Sequence, residues 1–191
     1  MKWFPNYNYI LASKSPRRSQ LLKSLGIEFS IKTKEINETY PDTLKREQIP
    51  LFLAEKKAKP FLPGLTKNDL LITADTIVWK EEKVLGKPNT FDEAIEMLHF
   101  LSGGWHEVIS GVCLANSKKT KSFYSISKVK FKQLTEAETA FYVSNFKPFD
   151  KAGAYGIQEW IGVIGITEIE GSFYNVMGLP IQKLYVEIQR F

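Results

Sequence analysis

A short run of hydroxyl and guanidinium side chains near the N-terminus has the composition of a phosphate site. The run covers residues 13–18 and reads Ser-Lys-Ser-Pro-Arg-Arg. Ser15 followed by proline predicts a helix start, where backbone N–H groups and the helix dipole favour an anion. Arg17 and Arg18 in the first turn would oppose that dipole, which suggests that something negative is bound there. The alternative is that Ser15 only caps the helix while both arginines extend into solvent.

A single acidic residue interrupts the most apolar segment of the chain. Asp75 follows the run Leu-Leu-Ile at 70–72 and precedes Ile-Val at 77–78. A carboxylate in a buried strand requires a partner or a metal ion. Asp75 is therefore a candidate to hold a divalent cation or to accept a proton from attacking water, with Thr76 beside it in contact with ligand. The alternative is an aspartate that caps a turn at the end of a strand.

Two lysines and a glycine-rich segment extend this set. Lys57 in a predicted helix and Lys87 in a Gly-Lys-Pro turn are candidate cations, although either fits an ordinary surface lysine. Residues 150–158 read Asp-Lys-Ala-Gly-Ala-Tyr-Gly-Ile-Gln, which predicts a backbone that turns close to a ligand. Gln158 could read a base edge through its paired donor and acceptor. A glycine-rich connector is the alternative.

Strands and helices that would position these residues alternate along the chain. The pattern predicts strands at 9–12, 70–79, 107–115 and 122–134, and helices beginning at Ser15 and covering 47–59, 90–101, 135–141 and 181–188. Capping boxes mark two of the helix starts, at Thr90 and Thr135. The alternation predicts an α/β or α+β fold with a mixed, twisted sheet flanked by helices.

Composition limits the class of protein. With 191 residues, 43% of them hydrophobic, the chain predicts one compact domain. The net charge of +5 favours anionic partners, but the aromatic residues lack the interleaved basic stripe of a nucleic-acid surface. The single cysteine, Cys113, excludes an internal disulfide and fits a reducing compartment. No apolar run approaches the roughly 20 residues of a membrane span, so we expect a cytoplasmic protein with neither membrane nor nucleic-acid polymer as partner.

Four separated segments contain motifs that can be compared together. They are 11–18 (LASKSPRR), 74–78 (ADTIV) with 85–88 (LGKP), 97–108 with its Leu-Ser-Gly and His106, and 150–158 followed by Gly-Ser at 171–172 and Gly-Leu-Pro at 178–180. Their order and spacing cover nearly the whole chain, and together they resemble the Maf family of nucleotide pyrophosphatases. The resemblance implies one Maf-like domain over 1–191, with two lobes, a central cleft and an α/β fold like that of the inosine triphosphate pyrophosphatases.

The resemblance also implies a reaction and a set of roles. A nucleoside triphosphate would be hydrolysed to the monophosphate and pyrophosphate, with Asp75 as the catalytic acid-base residue. Glu38 and Asp75 would hold a divalent cation, Mg²⁺, Mn²⁺ or Co²⁺. The residues implied to bind phosphates are Ser13, Arg17, Arg18, Lys57 and Lys87, and those implied to select the base are Arg17, Thr76 and Gln158.

Gln158 and Thr76 resemble the subgroup that acts on dTTP and UTP. A neutral amide can donate to a pyrimidine carbonyl and accept from its N3–H, whereas a carboxylate suits a guanine edge. The chain departs from the family at Ser110, where Thr is usual, and 159–161 reads as an insertion after Gln158. Three alternatives stay open: a nucleotide-binding regulator of septation without catalysis, action on another base such as N7-methyl-GTP, and a polynucleotide-binding module. A homodimer also stays open.

Overall fold

The computed structural model describes residues 3–191, in which strands and helices alternate. The strands are β1 (Asn8–Leu11), β2 (Phe29–Ile31), β3 (Asp69–Lys80), β4 (Lys83–Leu85), β5 (Trp105–Ala115), β6 (Thr120–Phe131) and β7 (Ile166–Glu170). The helices are α1 (Pro16–Ser24), α2 (Gln48–Ala58), α3 (Phe91–Leu101), α4 (Glu136–Phe146), α5 (Trp160–Gly165), α6 (Phe173–Val176) and α7 (Ile181–Gln189). Short 3-10 segments cover Lys59–Gly64 and Ala152–Ala154.

The strands form one mixed sheet. Their order is β2-β1-β3-β5-β6-β7, with β4 paired to β3. Strand β1 runs parallel to β2 and β3, whereas the pairs β3–β4 and β6–β7 are antiparallel. Strand β3 is buried along nearly its whole length, as expected for a central strand covered on both faces. The predicted mixed sheet with flanking helices is confirmed.

Side-chain caps start the helices where the sequence predicts them. The Ser15 hydroxyl accepts a hydrogen bond from the Arg18 N–H at 3.4 Å, and proline opens α1. Thr90 accepts from the Glu93 N–H at 3.1 Å to start α3. At α4, Thr135 and Glu138 form the complete reciprocal capping box. These local signals therefore set helix starts reliably.

Several short elements were not predicted. Strands β2 and β4 have three residues each, and β7 is mostly exposed, so none shows a clear alternation of apolar and polar residues. The segment 159–161, which reads as an insertion in the sequence, forms the start of α5, with Glu159 as its N-cap residue. Six helical residues are too few to show a helical period, so α5 was not predicted.

Internal contacts divide the chain into two compact units. The first unit comprises the chain up to Thr76 together with Ser110–Ser125 and Gly178–Phe191, and the second comprises Ile77–Ile109 and Ile126–Met177. Each unit has a hydrophobic cluster of its own, around Leu71 and Ala54 in the first and around Phe131 and Leu98 in the second. The single-domain organisation and the cleft implied by the resemblance stay predictions.

Cys113 is a free, buried thiol on β5, and burial raises its pKa. Within residues 3–191, no helix combines the length and the apolar character that crossing a membrane requires.

Candidate active site

Lys57 places its ammonium group between two carboxylates in the first unit. Its Nζ lies 2.5 Å from Oδ1 of Asp75 and 2.9 Å from Oε1 of Glu38. The Asp75 and Lys57 side chains are only 11% and 15% exposed, whereas that of Glu38 is 50% exposed. The three residues come from strand β3, the last turn of α2 and the loop at 32–47. Tertiary structure thus joins three charges that are far apart in sequence.

Helix α2 is held against the sheet by small residues and one buried hydroxyl. Thr73 on β3 donates a hydrogen bond to the Ala54 carbonyl at 2.6 Å, one turn before Lys57. Ala54 is fully buried, and its small side chain permits close packing. On β5, a Cβ at Gly111 would collide with the Pro50 backbone, so glycine is required for this approach. The register between α2 and β3 therefore sets Lys57 beside Asp75.

Asp75 lies in the middle of β3 and does not end a strand. Its neighbour Ala74 is fully buried, and β3 continues to Lys80. The alternative that Asp75 caps a turn is therefore wrong. The ion pair with Lys57 engages Oδ1, and a carboxylate has a second oxygen that can take a metal ion or a water molecule.

The donor set of this cluster fits a hard divalent cation. Glu38 and Asp75 supply two carboxylates, and both contact the ammonium group of Lys57. No group of three or more His, Cys, Asp or Glu side chains suited to a metal occurs in the part of the chain that the structure describes. Mg²⁺ commonly uses only one or two carboxylates and completes its shell with water and substrate phosphates. A cation bound together with a phosphate ligand is thus compatible with these residues.

The serines of the N-terminal loop shape the start of α1. The Ser15 N–H donates to the Ser13 hydroxyl at 3.2 Å, and Ser15 caps the helix. Ser13 is buried directly after β1, while Arg17 is partly buried in the first turn of α1. The first turn contains no acidic residue, so its backbone donors keep the positive potential that attracts an anion.

Arg18 is directed into the protein and not into solvent. Its Nε donates to the Gly178 carbonyl and its Nη1 to the Ala74 carbonyl, both at 2.8 Å. Its Nη2 donates to Oγ1 of Thr76 at 3.1 Å. Burial lowers the pKa of Arg18, and the nearby Asp75 carboxylate opposes that shift. The alternative in which Arg18 extends into solvent is therefore wrong, and each of its three nitrogens has a protein acceptor.

The Thr76 hydroxyl is also engaged by the protein. Besides Arg18, its Oγ1 lies 2.9 Å from the Ser110 hydroxyl and donates to the Gly178 carbonyl at 3.3 Å. A hydroxyl has one donor and two acceptor positions, and these three contacts fill them. Ser110, which departs from the family pattern, is thus part of the network around Thr76.

The remaining two predicted residues belong to the second unit. Lys87 is exposed in the loop between β4 and α3. The adjacent Gly86 carbonyl accepts a hydrogen bond from the Gly153 N–H at 2.9 Å, which ties this loop to the glycine-rich segment. Gln158 is exposed at the end of that segment. The predicted roles of Lys87 and Gln158 stay predictions.

A buried polar network around Lys151 was missed at the level of sequence. Lys151 Nζ lies 2.7 Å from Oδ1 of Asp150 and 3.1 Å from Oε1 of Glu159. The Tyr142 hydroxyl donates to Oε2 of Glu159 and accepts from the Gly156 N–H at 3.0 Å. The sequence indicates the Asp150–Lys151 pair, but only the fold brings Tyr142 and Glu159 to it.

Comparison with known proteins gives a consistent family match. Residues 8–191 match the family model described as Maf-like protein. A Bacteroides fragilis protein named dTTP/UTP pyrophosphatase is 52% identical over 185 residues, 96% of each chain. A Flavobacterium psychrophilum protein of the same name is 48% identical over 97% of this chain and 95% of its own. The Staphylococcus aureus Ham1 protein aligns with a TM-score of 0.46 and 18% identity over 82% of this chain and 90% of that one, too low for an inference.

Proposed function

The chain belongs to the Maf-like protein family, and we propose that it hydrolyses dTTP and UTP to the monophosphate and pyrophosphate with a divalent metal ion. The observation that carries the proposal is the cluster of Glu38, Lys57 and Asp75, which joins an acid, a cation and a second carboxylate. Relatives about half identical over nearly the full length are named for this activity. A protein that only bound nucleotides would have no need of a carboxylate held in this way.

In the proposed reaction, Asp75 is the general base. The oxygen of a water molecule bonds to the α-phosphorus while the bond from that phosphorus to the α–β bridging oxygen breaks. Pyrophosphate leaves, and the water proton passes to Asp75. The strand holds the Asp75 backbone rigidly, and Lys57 at 2.5 Å orients the carboxylate through Oδ1. Oδ2 then remains for the water or the metal ion.

Glu38 and Asp75 would hold the metal ion, for which Mg²⁺, Mn²⁺ and Co²⁺ are the candidates. When bound, such an ion supplies charge neutralisation on the phosphate oxygens. Lys57 reduces the repulsion between the two carboxylates before the ion and the substrate arrive.

The phosphate chain is bound by cations and by the start of α1. Arg17, Ser13 and the backbone donors of the first turn would contact phosphate oxygens, and Lys57 and Lys87 add positive charge. Arg18 contributes its charge, but the contacts to Ala74, Thr76 and Gly178 assign it mainly to holding the loop against β3.

Selection of the base is assigned to Gln158, with Arg17 and Thr76. The amide of Gln158 pairs a donor with an acceptor, which complements the carbonyl and N3–H of uracil or thymine. Since the Thr76 hydroxyl is satisfied by protein groups, Thr76 would contact a base through its methyl group.

A panel of triphosphates tests the proposal. Pyrophosphate release is measured with dTTP, UTP, CTP and N7-methyl-GTP, with Mg²⁺, Mn²⁺ or Co²⁺ and with a chelator. We expect turnover of dTTP and UTP that the chelator abolishes and added metal restores. Inactivity with all three metals would contradict the enzymatic function, and faster turnover of N7-methyl-GTP would contradict the assigned base.

A further inference from the structure

A tight turn presents Gln158. The Glu159 N–H donates to the Gly156 carbonyl at 3.0 Å, so residues 156–159 form a turn with Ile157 and Gln158 at its centre. Ile157 is buried in the core of the second unit, whereas Gln158 is exposed. The turn is thus anchored on one side and offers the amide on the other.

One hydroxyl group joins both ends of this turn. The Tyr142 hydroxyl accepts from the Gly156 N–H at 3.0 Å and donates to Oε2 of Glu159. Tyr142 itself is fully buried on α4. Burial and the hydrogen bond to Glu159 raise the pKa of Tyr142, so its hydroxyl keeps its proton and acts as a donor. The spacing of the two turn ends therefore depends on a group that cannot easily move.

The other oxygen of Glu159 is fixed as well. Its Oε1 lies 3.1 Å from Nζ of Lys151, whose side chain is only 8% exposed. Lys151 and Glu159 lie at the two ends of residues 151–159, so this ion pair joins the ends of that segment. With both of its carboxylate oxygens engaged, Glu159 has little freedom to move, so the ion pair helps to define the geometry of this segment.

The Gln158 amide lies close to this network. A Cβ added at Gly156 would lie 2.8 Å from Cδ of Glu159 and 3.1 Å from Nε2 of Gln158. The absence of a side chain at Gly156 therefore leaves room for both the Glu159 carboxylate and the Gln158 amide beside the turn.

We infer that Tyr142, Lys151 and Glu159 are positioning residues that hold the turn of Gln158 and thereby set the choice of base. The inference rests on the proposed function, because it takes Gln158 as the residue that contacts the base. The amide of Gln158 can meet a base edge only from a defined distance, so the position of the turn that carries it affects how well uracil is distinguished from cytosine.

A double-mutant cycle tests the inference. The kcat and KM for UTP and CTP are measured for wild type, Tyr142→Phe, Gln158→Ala and the double variant. Tyr142→Phe removes only a hydroxyl, and we expect it to lower the ratio of kcat/KM for UTP over CTP by about 10-fold. The change should come more from KM than from kcat. In the Gln158→Ala background, Tyr142→Phe should leave the ratio unchanged.

Tyr155→Phe is the matched control. Tyr155 is buried in the same segment, but its hydroxyl contacts Nε2 of His106 at 2.7 Å and not the turn. We expect it to lower thermal stability without changing the UTP over CTP ratio. An equal change of ratio in Tyr155→Phe, or an undiminished effect of Tyr142→Phe beside Gln158→Ala, would overturn the inference.

Amide hydrogen exchange gives a readout that does not need activity. Tyr142→Phe should increase exchange at Gly156 and Glu159 by about 10-fold or more relative to Tyr155→Phe. Unchanged exchange overturns the inference whether or not the protein is active. A wild-type protein inactive on every nucleotide overturns the proposed function instead, and exchange then still shows whether Tyr142 holds the turn.

Discussion

Two lysines, Lys57 in the first unit and Lys151 in the second, each lie between two carboxylates, yet their surroundings differ. Beside Lys57, Asp75 is engaged through Oδ1, and Glu38 is half-exposed on a loop without regular secondary structure. Beside Lys151, both oxygens of Glu159 are engaged, one by the lysine and one by Tyr142. The first cluster can accept a metal ion or a proton, whereas in the second cluster both oxygens of Glu159 already have protein partners.

A buried ion pair is present in both clusters, so it does not by itself predict catalysis. What separates the two clusters is the second carboxylate oxygen of Asp75, which the ion pair with Lys57 does not engage, together with the predicted phosphate-binding residues of the same unit. The first unit also contains Ser13 and Arg17 at the start of α1. We therefore assign chemistry to the Lys57 cluster and geometry to the Lys151 cluster.

Among the substitutions in the two clusters, Asp75→Asn should reduce activity the most. Loss of the proposed base and metal ligand should lower kcat by about 10²-fold or more, with the fold retained. Pyrophosphate release from dTTP and the thermal midpoint are measured together. Asp69→Asn, on the same strand but bonded to Thr66, is the control and should keep activity. Near wild-type turnover in Asp75→Asn would contradict the role of Asp75.

Substituting each lysine by methionine compares the clusters directly. Lys151→Met leaves Glu159, which is only 20% exposed, without its cation and should lower the unfolding free energy by about 3 kcal/mol. Lys57→Met should lower it by a similar amount, because Asp75, only 11% exposed, loses its cation, but it should reduce kcat more than Lys151→Met does. Urea denaturation and turnover are measured for both variants. A loss of kcat in Lys151→Met that equals or exceeds the loss in Lys57→Met would remove the distinction between the clusters.

Glu38→Gln tests the metal role of the Lys57 cluster. Loss of one carboxylate ligand should raise the metal concentration for half-maximal activity by about 10-fold. Glu35→Gln, on the same loop and paired with Lys14, is the control and should leave that concentration unchanged. A metal titration identical in both variants would exclude Glu38 as a ligand.

The buried His106 should make the stability of the second unit depend on pH. Burial, and then the Lys80 ammonium, lower its pKa from 6.5 to about 3. Between pH 6.5 and about pH 3, His106 is protonated in the unfolded chain but not in the folded chain. The free energy of unfolding is therefore highest above pH 6.5 and decreases as the pH falls through this range. The loss is at most about 1.4 kcal/mol per pH unit. His106→Gln should flatten this dependence in denaturation experiments, and parallel curves would contradict it.

Local signals in the sequence predicted much of the fold. Caps at Ser15, Thr90 and Thr135 act over three or four residues, so the helix starts that they mark are confirmed. The long buried strand β3 was equally evident from its apolar residues. The edge strands β2 and β7 and the short helix α5 were not, because too few of their residues are buried to produce a period.

The sequence by itself determined which residue types were present for phosphate chemistry and gave the family resemblance, since motifs are local and their order is fixed along the chain. Only the tertiary structure decided which of them meet. It brought Lys57 to Asp75 and Glu38, turned Arg18 toward Ala74 and Thr76, and joined Tyr142 to Glu159. Such pairings depend on the register of helices and loops against the sheet, which is set by packing among residues distant in sequence.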